Sequence, residues 1–291
     1  MAGLYRDSDA GDMRQRWAAD LMVGDDDDPA LRGAVHYLQA HLAARSRDTR
    51  SALAHTLEAA ALLESAGNLR QAAAAEISVS VYLAYLGDPT AALEQGLSTV
   101  AKLRPLGWPL PLGLALANLG AYYANLGRGE PALAALAEAE AVLQGHPQSF
   151  EAVSVLAERA RTHVLTGDFA LALADADRVQ ALVADGRFRV HANRAITARA
   201  QALAALGEPA AGLALLEGLL SWPDGDLVLP RRAAVLEAAA EIHRQHPQLP
   251  GPAGLVAPTA EIHYLQARID LTRDGEAELL PHESLEKLSL A

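Results

Sequence analysis

Apolar residues in this chain recur at three- and four-residue steps, in runs of roughly 14–17 residues. Short polar breaks cut those runs at a fixed interval. The stretch LANLGAYYANLGRGEPALAALAEAE, Leu116 to Glu140, shows one unit: an apolar-periodic run, a glycine break at Gly127, and a second run opened by Pro131. Steps of 40 residues from Gly127 reach positions 47, 87, 167, 207 and 247, where the text reads SRDTRSAL, LGDPTAAL, TGDFALAL, LGEPAAGL and a degenerate HPQLPGPA. Six residues past the first five marks stand Leu53, Leu93, Leu133, Leu173 and Leu213, each preceded by alanine or glycine. Seven residues before the marks stand Ala40, Ser80, Gly120, Ala160, Ala200 and Ala240, all small. Small residues at constant phase let two helix backbones come to the short end of the usual packing range, about 8–10 Å.

The breaks predict helix ends. Glycine just past a helix adopts the left-handed conformation at little cost. Asp88 and Asp168 follow as expected N-caps, and Pro89, Pro131 and Pro209 stand where a first helical residue is expected. A looser set of breaks, at 65–68, 104–111, 144–149, 184–188 and 221–226, separates one pair of helices from the next. Each unit is therefore a helical hairpin that buries its apolar face only by stacking on its neighbours.

Composition points the same way. The 291 residues include 63 alanines and 49 leucines against three phenylalanines and three tryptophans, an all-α signature. Val/Ile/Thr-rich alternation is missing, so no substantial sheet is expected. There is no cysteine, which excludes disulfides and thiolate metal or redox sites. The N-terminal text does not read as a secretory signal, and no charge-free run approaches the roughly 20 residues that span a bilayer. The expectation is a cytoplasmic protein with no membrane role. The net charge of −12 opposes binding to nucleic acid. Much of it lies at the ends: residues 1–30, with GDDDDP, read as an acidic lead-in segment, 31–273 as the repeat domain, and 274–291 as a tail or capping helix. Pro247, Pro250, Pro252 and Pro258 interrupt the sixth unit.

The opening stretch resembles a tetratricopeptide repeat. Leu119, Gly120, Tyr123, Gly127, Ala132 and Ala139 match that family's spacing residue by residue, and Gly87, Ala92, Gly167, Ala172 and Gly207 hold their places in other units. The period of 40 departs from the family's usual 34. The early aromatic position holds Glu76, Leu116, Leu156, Ile196 and Leu236 rather than tryptophan. Longer units of this kind are similar to the helical-repeat regions of bacterial regulators. The resemblance implies a right-handed α-solenoid of about six stacked hairpins, whose first helices line a concave groove for peptides or partner proteins. In that register the groove residues are Tyr37, His41, Ile77, Val81, Tyr85, Asn118, Asn125, Arg161, Arg194, Thr197, Arg199 and Gln201. The chaperone-tail clamp known in the family needs a lysine and an asparagine where Ala117 and Ala121 stand, so that role is not expected.

Two readings of the arginines follow. Arg159, Arg161, Arg194 and Arg199 form a basic patch that holds an acidic segment of the partner, since guanidinium forks suit carboxylates and phosphates. Alternatively they pair with glutamates such as Glu151 and Glu158 and only solubilise the helices. His243 and His246, with Glu241 near and His263 further on, have the spacing of a two-histidine metal face but no fixed third ligand, so no metal or other cofactor is expected. Phosphate-binding loops, nucleophile elbows and zinc-protease motifs are all missing. The expected function is non-catalytic protein or peptide binding. The alternative is a sensory ligand-binding module of a larger bacterial regulator, and unfinished stacking faces at the two ends leave self-association open.

Overall fold

A computed structural model describes residues 28–46, 48–184, 188–220 and 229–249. Residues 1–27 of the acidic lead-in, His263, the prolines from Pro250 onward and the 274–291 segment lie outside the described residues. Every regular element among the described residues is helical. The first helices of the successive units are α1 (Pro29–Arg45), α3 (Leu69–Tyr85), α5 (Pro109–Asn125), α7 (Phe150–Thr166), α9 (Arg189–Ala205) and α11 (Leu229–Gln245). The second helices are α2 (Thr49–Ser65), α4 (Pro89–Leu103), α6 (Gly129–Val142), α8 (Phe169–Leu182) and α10 (Pro209–Leu220). A single 3-10 turn, Arg104–Leu106, follows α4. The second helices begin at 49, 89, 129, 169 and 209, so the 40-residue period is structural. Five complete hairpins and the first helix of a sixth are seen among the described residues.

The hairpin turns share one construction. Gly87, Gly127, Gly167 and Gly207 have φ of 79°, 70°, 84° and 95°. After α3, Gly87 N–H donates to Ala84 O and Asp88 N–H to Leu83 O, both at 3.1 Å, which satisfies carbonyls that the helix end leaves bare. The same pair of bonds recurs after α5, from Gly127 to Ala124 and from Arg128 to Tyr123. Asp88 caps α4 as expected, accepting from Ala91 N–H at 2.9 Å. Asp28 and Asp48 cap α1 and α2 in the same way. Asp168 differs: its carboxylate accepts the Thr166 hydroxyl at 2.8 Å and makes no cap bond to α8. Pro131 is the third residue of α6, not the first; the first-turn N–H groups have no partner within the helix, so proline still fits.

The small-residue columns sit where backbones touch. Ala52, Ala92, Ala132 and Ala172 are fully buried, as are Ala160 and Ala200. A Cβ on Gly212 would lie 2.5 Å from Ala200 O, so glycine alone allows α10 to approach α9 this closely. A Cβ on Gly120 would lie 2.7 Å from Leu136 Cγ, which closes α5 on α6.

The helices divide into two compact units between Pro111 and Leu112, inside the first turn of α5. In the first unit, Ala59 and Leu63 of α2 and Ala72 and Ala75 of α3 form a buried cluster, with Tyr37 of α1 packed against it. The second unit is larger. Its α7–α9 segment is built on Val153, Leu156, Ala160, Ala176 and Val179, and its α9–α11 segment on Leu213, Leu216, Leu219, Val235 and Ile242. One repeat position separates the two units clearly. In the second it holds Leu116, Leu156 and Leu236, all at most 5% exposed, and the partly buried Ile196. Each leucine buried there contributes about 1.5–3 kcal/mol. In the first unit the same position holds His36 and Glu76. Glu76 accepts from Lys102 Nζ at 2.5 Å, and Lys102 also reaches Glu64 at 3.3 Å. The bond to Glu76 raises the Lys102 ammonium above its ordinary value.

Candidate ligand-binding faces

In the first unit the candidate face is aromatic. Tyr37 and His41, one turn apart on α1, meet edge-on with ring centroids 4.6 Å apart. Tyr37 also leans on the α2–α3 core cluster, while His41 is exposed. On α3, Val81 is half-buried and Tyr85 stands 48% exposed. Tyr82 lies beneath them; burial pushes its phenol up, and Tyr37 and Tyr85 lie within electrostatic reach. Ile77, expected to offer apolar surface, is only 7% exposed and packs inward. This face therefore presents rings and one aliphatic side chain.

In the second unit the face is ionic. Glu158 on α7 is 4% exposed, an expensive place for a carboxylate without partners. Two arginines supply them. Arg161 Nε donates to Glu158 Oε2 at 3.1 Å, and Arg194 Nη1 on α9 pairs with Glu158 Oε1. Burial raises the Glu158 carboxyl, but Arg194 and Arg161 outweigh it and hold the group below the usual carboxylate range. Arg161 Nη2 also donates to Ala121 O on α5, exactly one period away, at 3.3 Å. The chain Ala121–Arg161–Glu158–Arg194 thus crosses α5, α7 and α9. It carries two positive charges against one negative, and both arginine side chains keep 27–28% of their surface in solvent.

The other arginines face elsewhere. Arg159 forks onto Asp175 of α8 at 2.6 and 2.8 Å and reaches Glu140 of α6 at 2.5 Å. Asp175 leads the groups that drive its guanidinium further up. Arg178 joins the same two carboxylates more loosely, at 3.4 and 3.5 Å. Arg199 turns toward α8, pairing with Asp177 and with Gln180 at 3.0 Å. The expected patch of four arginines is thus two arginines around Glu158 and two tied to second helices. Of the two glutamates named as possible partners, Glu158 pairs with Arg161 and Arg194.

Among the remaining candidates, Thr197 spends its hydroxyl on Asn193 O at 2.8 Å, Asn118 and Gln201 are half-buried, and Asn125 is exposed. Leu165, 59% exposed, shares the repeat position of Tyr85 and Asn125; that phase is the signal by which the sequence could have disclosed it. Trp108 is half-buried under Arg70, whose guanidinium carbon sits 5.4 Å from the ring centroid. A depression of about 230 Å³ between α6, α7 and α8 has Leu143, Val155 and Leu156 in its floor and Glu140 and Arg178 at its edge. Glu241 binds Arg244 at 2.6 Å rather than turning to His243 or His246, and no group of three metal-ligating side chains occurs among the described residues. No described helix is long and apolar enough to cross a membrane.

No protein-family model and no curated protein matches the chain by sequence. In fold it is similar to the apo form of RapI, with a TM-score of 0.70 at 11% identity, over 93% of this chain and 94% of that one. It is also similar to a Rap protein complexed with Competence and Sporulation Factor, with a TM-score of 0.69 at 16% identity, over 90% and 71% of the two chains. A third likeness is to a Signal Transduction ATPase with Numerous Domains, from Pyrococcus horikoshii, that has a tetratricopeptide repeat sensor. There the TM-score is 0.53 at 15% identity, and the match covers 98% of this chain but 44% of the other. The fold is a tetratricopeptide-like helical repeat.

Proposed function

We propose that this chain is a non-catalytic binding protein whose first-helix faces hold a peptide or a segment of a partner protein. The observation that carries the reading is the Ala121–Arg161–Glu158–Arg194 chain. A buried carboxylate fixes two arginines at the surface of α7 and α9, leaving one net positive charge and spare guanidinium N–H donors. Such pre-ordered forks suit an acidic side chain or a terminal carboxylate of a partner, because little side-chain freedom remains to be lost on binding. Tyr37, His41, Val81 and Tyr85 offer apolar and aromatic contact in the first unit, as rigid rings do at many interfaces. The likeness to a Rap protein complexed with Competence and Sporulation Factor is in keeping with a binding role.

Titration with fluorescent peptides, acidic against neutral, tests the reading. The triple variant Glu158→Gln/Arg161→Gln/Arg194→Gln removes both arginines together with the carboxylate they serve, so the net positive charge is lost and no unpaired buried carboxylate is left. It is expected to bind acidic peptides at least about tenfold more weakly while binding neutral ones unchanged. Equal affinity of variant and wild type for the acidic set would remove the arginines from the site.

A further inference from the structure

His36 and His55 face each other across α1 and α2. Their Nδ1 atoms are 3.1 Å apart and their ring centroids 5.4 Å. The centroid separation exceeds the nitrogen separation by about two ring radii, so each Nδ1 points along the line to the other ring. That is the geometry of a linear N–H···N hydrogen bond, with one ring donating and the other accepting. Two ligands of a tetrahedral metal would converge at an angle instead.

The position matters as much as the contact. His36 occupies the repeat phase at which the second unit holds Leu116, Leu156 and Leu236. A leucine would serve packing better, so the first unit gives up apolar burial for a titratable pair. We propose that the His36–His55 pair is an acid-sensitive latch that holds α1 on α2 when it shares one hydrogen and lets α1 go when both rings carry protons on their facing nitrogens.

The chemistry runs in two steps. A first proton can settle on the far Nε2 of the donor ring and keep the N–H···N bond, now charge-assisted. A second must take the acceptor Nδ1, which sets N–H against N–H, places two cations in contact and breaks the bond. The charged groups that reach the pair are Arg32 on α1 and Asp48 and Glu58 on α2. Burial leads, with His55 and Arg32 adding to it and Glu58 opposing, in holding His36 below the ordinary histidine value. A depressed histidine binds its proton more readily when released. The latch is therefore whole above the ordinary histidine value of about 6.5 and weakens as pH falls below it. Tyr37 and His41 lie on the same helix, so release of α1 would also dismantle the aromatic face of the first unit. The latch does not depend on what that face binds.

Hydrogen exchange of the full chain, corrected for intrinsic rates, reads the latch at the α1 amides. Protection of α1 is expected to fall about tenfold per pH unit below pH 6.5 for each proton taken up on opening. The variant His36→Leu/His55→Leu, which writes the second unit's residue into the first, is expected to show flat protection over the same range. Equal acid loss in both proteins overturns the proposal. Should the leucine variant not fold, long-range proton–nitrogen spectra of the wild type decide alone. One Nδ1–H and one bare Nδ1 at neutral pH are expected. Two bare Nδ1 atoms, with both rings titrating independently near pH 6.5, overturn it.

Discussion

At one and the same repeat position the two units of this protein make opposite choices. The larger unit fills it with Leu116, Leu156, Ile196 and Leu236. The smaller fills it with His36 and Glu76, each matched to a polar partner on a second helix, His55 and Lys102. The backbone pattern is unchanged: helices of 17 residues, glycine turns and buried alanines appear in both. The repeat thus prescribes where a side chain points and how near its neighbours come, but not what holds it there. On the exposed side the contrast reverses. The smaller unit shows rings, and the larger unit shows an ion chain anchored by Glu158.

Exchanging residues between the units breaks the comparison most sharply. Leu116→Glu puts a carboxylate at a site 1% exposed without the lysine that serves Glu76, and should cost about 5 kcal/mol or more in urea unfolding. Arg159→Ala leaves Asp175, whose side chain is 7% exposed, with the looser Arg178 at 3.5 Å and His163 at 3.9 Å, and should cost about 3–5 kcal/mol by the same measurement. Gly212→Ala forces α10 away from Ala200 O and should cost about 2 kcal/mol, read as a lowered melting temperature. The reverse exchange, Glu76→Leu, should change stability by no more than about 1 kcal/mol, because the Lys102 side chain is 49% exposed and keeps Glu64. A loss as large as that of Leu116→Glu would show that the smaller unit needs its polar pair for folding itself.

Much of this architecture is legible in the text of the chain. Gly87, Gly127, Gly167 and Gly207 mark real left-handed turns because few residues take that conformation at little cost. Ala52, Ala92, Ala132 and Ala172 are fully buried, at the repeat position where Gly212 meets Ala200 O. The candidate faces are less legible. Phase assigns a residue to a side of its helix, yet an arginine side chain is long enough to choose among carboxylates on several neighbours. Arg159 and Arg199 chose α8, whereas Arg161 and Arg194 chose Glu158. Asp168 likewise had Thr166 within reach and took its hydroxyl in place of the cap. The His36–His55 contact joins residues 19 apart on two helices, a distance that neither the helical period nor the repeat period marks.

The column of fully buried alanines has a bearing on how much of the chain is free to vary. It asks for smallness at one site per turn of the pattern and is indifferent to nearly everything around it. Most letters of the chain can therefore change while the rods still nest, and its fold is similar to that of RapI at 11% identity. Outward-facing positions can then vary without renegotiating the scaffold beneath them.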